Sequence, residues 1–189
     1  GAGTHGTNGI TIGPDGNLYI ASFWAKEILV MNKQDIITYF FENDGDIPNN
    51  ILPVVIYKNV LQHVVQKDLE LLFCQNGWGN NWHDIILTED HFHSNTHEVL
   101  GLKSGQARLK LGGEKGEIVT VEKGDVIILP AGVGHYSVDN SIEYQFVGGY
   151  PNGAEWNLKF SLKKEDSSSI LAEIASIPLT EKDPVCGDD

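Results

Sequence analysis

His91 and His93 are separated by a single residue in the string DHFHSNTHEVLGLKSG at 90–105. On an extended strand, residues two apart project to the same face roughly 6 to 7 Å from one another, so two imidazoles can converge on one ion while Phe92 faces away. Glu98 follows after a four-residue connection and opens the next strand-like run, which brings a carboxylate toward the same interior. A third imidazole has to come from elsewhere in the chain. His135 is the candidate, because Pro130-Ala131-Gly132 makes a tight turn that ends one strand and aims the next one inward. Three nitrogens and one oxygen suit Fe(II), Mn(II), Ni(II), Co(II) or Zn(II), so the expected cofactor is one divalent metal ion. Positions left open on such an ion could polarise a carbonyl, activate water or support redox chemistry on a small polar molecule. No residue is singled out as catalytic acid or base. His97 adjoins Glu98 and should face the opposite way on a regular strand, which makes it an alternative ligand or a partner to one.

The elements that must position these side chains read as short strands. From Trp82 to Val147, Gly, Pro and Asn/Asp break the chain at close intervals. QARLKL at 106–111 alternates, with Ala107, Leu109 and Leu111 on one face and Gln106, Arg108 and Lys110 on the other. GGEKGE at 112–117 is a hairpin loop, and EIVTVEKGDVIILPAG supplies further strands. Strands at this density predict a mainly β fold, a jelly-roll barrel with a few flanking helices. Trp78, Trp82, His83, Tyr136, Tyr144 and Phe146 lie near the histidines in sequence and are candidates to line a pocket or to fill the barrel core. Ser137 is a further pocket candidate, since it shares the face of His135.

Two helices are predicted. Val60, Leu61, Val64, Val65, Leu69 and Leu72 recur at helical spacing before Asn76-Gly77, which predicts one amphipathic helix over about 59–75. His63 within it reads as a surface or packing residue. Ile170, Leu171, Ile174 and Ile177 follow a Ser-rich cap and predict a C-terminal helix at about 167–176. Residues 1–34 differ in texture, with Gly-rich turns and two alternating runs, NLYIAS and EILVMN, that read as a β-meander appended to a domain over 35–189 with its barrel core at about 82–150.

The histidine and glutamate spacing resembles the cupin superfamily. Its first motif, HxH, four residues, Glu, six residues, Gly, is matched by His91, His93, Glu98 and Gly105; its second, Gly, five residues, PxG, two residues, His, by Gly124, Pro130, Gly132 and His135. Ile85 stands where the family usually has a glycine before the first motif, and Asp139, followed by Asn140, where it usually has an asparagine after the second. Over about 36–185, the strings FENDGDIPNN, LPVVIYK, NGWGNNW, HFHSNTHEVLG, PAGVGH, VGGYPNG and IPLTEKDPV resemble the YjlB-like group of small bacterial cupins. The resemblance implies a jelly roll with a metal site at the four residues and a homodimer; the function it leaves open is a metal-dependent oxygenase or isomerase, or a non-catalytic small-ligand binder. Separately, residues 1–34, with the PDG turn at 14–16, resemble a fragment of a gluconolactonase-type propeller blade. A propeller needs several blades closing on themselves, and no second copy follows, so lactonase activity is not expected.

Charge narrows the partners. With 13 Lys and Arg against 26 Asp and Glu, the formal net charge of −13 repels a phosphate backbone, so nucleic acid is not expected as a partner. No stretch approaches the run of about 20 apolar residues that a membrane helix needs. Cys74 and Cys186 lie far apart with no paired framework around them, which suggests free thiols and a cytoplasmic location.

Overall fold

Alternation becomes layering in the computed structural model, which describes residues 9–12, 17–22, 27–32, 35–63, 67–139, 143–164 and 166–187. The strands, in chain order, are β1 (Gly9–Ile12), β2 (Asn17–Ser22), β3 (Glu27–Asn32), β4 (Ile36–Tyr39), β5 (Val54–Tyr57) and β6 (Trp78–Asp84). They continue as β7 (Glu98–Ser104), β8 (Gln106–Leu111), β9 (Glu117–Glu122), β10 (Val126–Leu129), β11 (His135–Ser137) and β12 (Gln145–Pro151). β1, β2 and β3 form an antiparallel meander. The PDG turn at 14–16 lies outside the described residues.

A six-stranded sheet in the order β4-β5-β10-β7-β12-β6 faces a three-stranded sheet in the order β11-β8-β9. On β8, Ala107, Leu109 and Leu111 are fully buried, and they meet Leu100 and Leu102 of β7, Ile127 and Leu129 of β10 and Phe146 of β12 in one apolar core. Glu98, Leu100 and Leu102 share the inner face of β7, so the core and the carboxylate occupy successive levels of one barrel. The fold is a jelly-roll-type barrel with few helices.

The outer face of the larger sheet carries Val99, Val126 and Val147, covered by Leu69, Leu72 and Phe73. Here the single helix predicted over 59–75 is corrected to two, α1 (Val60–His63) and α2 (Leu69–Gln75). Asp68 separates them: its backbone is extended, and its carboxylate accepts from the N–H groups of Glu70 and Leu71 at 3.0 and 3.3 Å. An aspartate that satisfies the free amides of a first turn starts a helix rather than continuing one. Val64 and Val65 lie outside the described residues. Helix α3 (Ser167–Ser176) packs Ile170 and Ile174 against Ile47, Phe92 and Ala131 at one end of the barrel. Among the described residues no helix is long and apolar enough to cross a membrane.

One buried carboxylate ties two corners together. Asp125, 1% exposed, accepts from Asn59 N at 2.9 Å and Glu122 N at 2.8 Å and pairs with Lys58. Its replacement strands two amides and leaves the ammonium without its partner, although Lys58 can still turn toward water. Asp125→Ala is therefore expected to cost about 2 kcal/mol in denaturant unfolding.

Candidate metal centre

The two-residue alternation holds around the first histidine pair. His91 bridges His135 by backbone bonds in both directions, His91 N to His135 O at 3.3 Å and the reverse at 2.9 Å. Phe92 bridges Lys159 in the same way and points outward into the cluster beside α3, while His91 and His93 point inward. Glu98 is the first residue of β7 and lies opposite Leu129 at the end of β10, so the Pro130 turn begins beside the carboxylate. Gly132 in that turn has a φ of +87°, and its N–H donates to His93 O at 2.7 Å. A side chain there would be strained by the backbone angle and would press on Asn49 O at 2.8 Å. The turn thus fixes His93 and delivers His135 from one place.

His91, His93 and His135 are each buried and offer ring nitrogens that all lie within 4.8 Å of one another. Each turns Nδ1 to a backbone carbonyl: His91 to Glu89 O at 2.9 Å, His135 to Val133 O at 3.1 Å and His93 to Asn157 O. A carbonyl can only accept, so each Nδ1 carries a proton, and a ring that holds no second proton presents its Nε2 lone pair to the centre. Glu98 Oε2 lies 3.3 Å from both His93 Nε2 and His135 Nε2. It is nevertheless fully buried without a hydrogen bond of acceptable geometry. Two donors that share an ion at about 2.1 Å stand roughly 3 to 3.5 Å apart when adjacent around it, so this spacing fits a coordinated cation. An orphaned carboxylate oxygen facing imidazole lone pairs is the arrangement that a cation would satisfy.

The other carboxylate oxygen is held. Tyr150 OH donates to Glu98 Oε1 at 2.8 Å, and Trp82 Nε1 donates to Tyr150 OH at 2.9 Å. Burial and then the neighbouring carboxylate push the Tyr150 phenol above its ordinary range, so it stays a donor. Burial alone would raise the Glu98 pKa, but His93 and His135 reverse this and hold it below the ordinary carboxylate range. Burial, reinforced by His135, pushes His91 down to about 3 and keeps it neutral. At His93 burial is outweighed by the Glu98 carboxylate, and the pKa ends above the ordinary histidine value.

The cluster opens into a cavity of about 270 Å³, walled by Trp82, Ile86, Leu87, Tyr150, Trp156 and Leu158. Of the residues named from sequence, the structure brings His91, His93, Glu98 and His135 together, with Trp82 and His83 on the wall. The other candidates lie away from this cavity. His97 is buried away from the cavity, with Nδ1 accepting from Ala131 N at 2.9 Å and Nε2 on Pro178 O at 3.1 Å. Ser137 is buried under Tyr144, whose hydroxyl donates to it at 2.7 Å. Tyr144 and Phe146 fill the barrel core, and Trp78 packs on the outer face beneath α2. Tyr136 faces a separate acidic cavity with Asp44, Asp46, Asp90 and Glu114. Sequence reasoning missed Tyr150, Trp156, Asn157 and Leu158.

Asp90 carries a strain of its own. Its Oδ1 is buried without a partner, and burial raises its carboxyl from 3.8 to about 6. The native state therefore binds the extra proton between those values, and the ionised group weakens the fold at neutral pH. Asp90→Asn is expected to gain about 1 kcal/mol at pH 8, a figure reduced for partial exposure. Unfolding curves should show the gain fading as pH falls from about 6 to 3.8.

No family model matches the chain. It is 36% identical over 151 residues to the uncharacterized protein YjlB of Bacillus subtilis (strain 168), covering 79% of this chain and 90% of that one. Among solved structures, it is similar to an acireductone dioxygenase from Bacillus anthracis with a cadmium ion in its active centre (18% identity, 51% of this chain and 64% of that one, TM-score 0.36). A mutant of Bacillus subtilis oxalate decarboxylase is similar at 18% identity over 65% of this chain and 29% of that one, TM-score 0.36. Procruciferin from Brassica napus follows at 15% identity over 43% and 21%, TM-score 0.35. The chain spans less than two thirds of each of these three structures. The likeness to YjlB, in contrast, runs through most of both chains, and by it this protein belongs to the YjlB-like cupins.

Proposed function

We propose that His91, His93, Glu98 and His135 hold one divalent ion, drawn from Fe, Mn, Ni, Co and Zn, and that the protein is a metal-dependent enzyme of oxygenase or isomerase type. The observation that carries this is the buried, unsatisfied Glu98 Oε2 facing the Nε2 atoms of His93 and His135. When bound, such an ion supplies Lewis-acid or redox chemistry at positions the protein leaves open. The chain's own residues do the rest. Three carbonyls orient the imidazoles, Tyr150 and Trp82 hold Glu98, and the aromatic wall keeps bulk water from the donors.

Ligand binding without turnover is the alternative, and one observation favours it. Beyond the four donors, the titratable wall residues are His83, Asp84 and Tyr150, and Tyr150 is already committed to Glu98 while His83 contacts Glu70 at 2.8 Å. Elemental analysis of protein purified without added metal tests the site, with about one equivalent of transition metal expected. Protein that takes up none of the five metals on incubation counts against it. Product formation from small polar molecules supports the enzyme, and thermal stabilisation without product supports the binder.

Pairing with a second copy belongs to the same proposal. Phe40 (70% exposed), Ile51 (93%) and Leu179 (73%) surround an apolar groove beside α3, and sedimentation as a monomer at micromolar concentration would count against pairing. A cytoplasmic setting suits Cys74 and Cys186, neither of which forms a disulfide.

A further inference from the structure

We infer that Trp156 sets the ligand class of this pocket: a small molecule with one oxygen-donor end and a flat, apolar body that bears no second anionic group. The inference rests on the metal-site proposal and adds to it what lies beyond the donors. No Lys or Arg occurs among the described residues of the wall, whereas Asp84 does, and the cation beside it, Lys103, is engaged with His83 Nδ1 at 3.2 Å, so a second carboxylate or a phosphate on the ligand would meet repulsion from the wall and no counter-charge on it. Apart from Asp84, whose Oδ1 accepts from Ile85 N at 2.8 Å, and the Trp156 indole itself, the polar side chains of the wall that could grip a hydroxylated body are committed. Trp82 Nε1 donates to Tyr150, Tyr150 OH to Glu98, and the two ring nitrogens of His83 contact Glu70 at 2.8 Å and Lys103 at 3.2 Å.

What remains available is aromatic surface. The Trp156 indole is 42% exposed, stands 5.3 Å from the His93 ring and lies nearly parallel to Tyr150 with 6.1 Å between ring centroids. Such faces reward a flat apolar group by contact area and ring packing. The backbone on both sides of Trp156 is also held. Ser94 N donates to Asn157 Oδ1 at 2.9 Å, Asn157 Nδ2 to Ser94 Oγ at 2.8 Å, Asn157 N to Asn95 Oδ1 at 3.0 Å and Asn95 Nδ2 to Glu155 O at 2.9 Å. Asn157 O holds His93 as well, so Trp156 and His93 are fixed in one frame. At about 30 Å³ per water, the 270 Å³ cavity has the room of roughly nine waters, enough for a ligand of about ten non-hydrogen atoms.

Calorimetric titration of zinc-loaded protein with three probes tests this: acetohydroxamate, benzohydroxamate and 4-carboxybenzohydroxamate share one chelating end and differ in body and charge. Benzohydroxamate is expected to bind about ten-fold more tightly than acetohydroxamate, and the added carboxylate to reverse that gain. Trp156→Ala should bring benzohydroxamate to within about three-fold of acetohydroxamate and Trp156→Phe should keep most of the preference, while one bound zinc per chain and an unchanged unfolding transition in both variants report an intact fold and site. Equal binding of the two uncharged probes, an unchanged preference in Trp156→Ala, or tighter binding of the carboxylated probe overturns the inference. If one zinc per chain is bound when that happens, the metal site survives it; failure to take up zinc overturns both.

Discussion

His91→Ala is expected to give a folded protein that no longer retains stoichiometric metal. The backbone bridge between His91 and His135 uses main-chain atoms only, so alanine keeps it. Partners that merely orient a ligand cost ten- to a hundred-fold in affinity when removed, and loss of the donor itself should cost at least about a hundred-fold. The native imidazole, pushed to about 3 by burial, also resists protonation, whereas in the unfolded chain it titrates near 6.5. That difference weakens the wild-type apoprotein as pH falls from 6.5 toward 3, and the alanine variant lacks it. Chelator should therefore lower the melting temperature of the wild type and leave that of the variant unchanged. Wild-type metal content in His91→Ala would remove the residue from the donor set.

Gly148→Ala is expected to damage stability and metal binding together. Gly148 lies opposite Trp82 in the β12–β6 register, and a methyl group there would overlap the Trp82 indole. β12 is hydrogen-bonded on both sides, to β7 and β6, so the backbone has little freedom to yield. Overpacking of this kind costs about 3 kcal/mol. A displaced indole also lets go of Tyr150 and, through it, of Glu98 Oε1, so metal affinity should drop ten-fold or more by the usual cost of lost outer partners, about ten- to a hundred-fold. Denaturant unfolding of the apoprotein and metal titration at a temperature where it is folded separate the two effects. A variant with wild-type values in both would show that Trp82 is not needed to hold Tyr150.

The grouping of His91, His93, Glu98 and His135 was legible because their positions follow from local rules: two residues apart in extended chain, first residue of β7, first residue of the strand that follows the Pro130–Gly132 turn. The barrel core was legible for the same reason, as Ala107, Leu109 and Leu111 show. For Tyr144 and Phe146 sequence left pocket and core open, and the structure places them at the level of the core. Continuing the same alternation along β12 leads to Tyr150, so that residue was within reach of pattern reasoning. Trp156, Asn157 and Leu158 were not, because they sit in a stretch without regular structure that is held to residues 92–95 by contacts across more than half the barrel motif. The helix over 59–75 failed on Asp68, an N-cap type that periodicity of apolar residues does not weigh.

The clamp between 92–95 and 155–159 also orders events in time. His93 is oriented by a carbonyl 64 positions away, and Glu98 by a hydroxyl 52 positions away. Contacts so distant along the chain form only after the intervening loops have closed, and closing them is the slow part of folding for sheet-rich topologies. The nascent polypeptide therefore has no assembled chelator to offer: an ion held by these residues would have to enter a finished barrel through its mouth, and metal supply would then govern how stable the folded product is without altering how fast it forms.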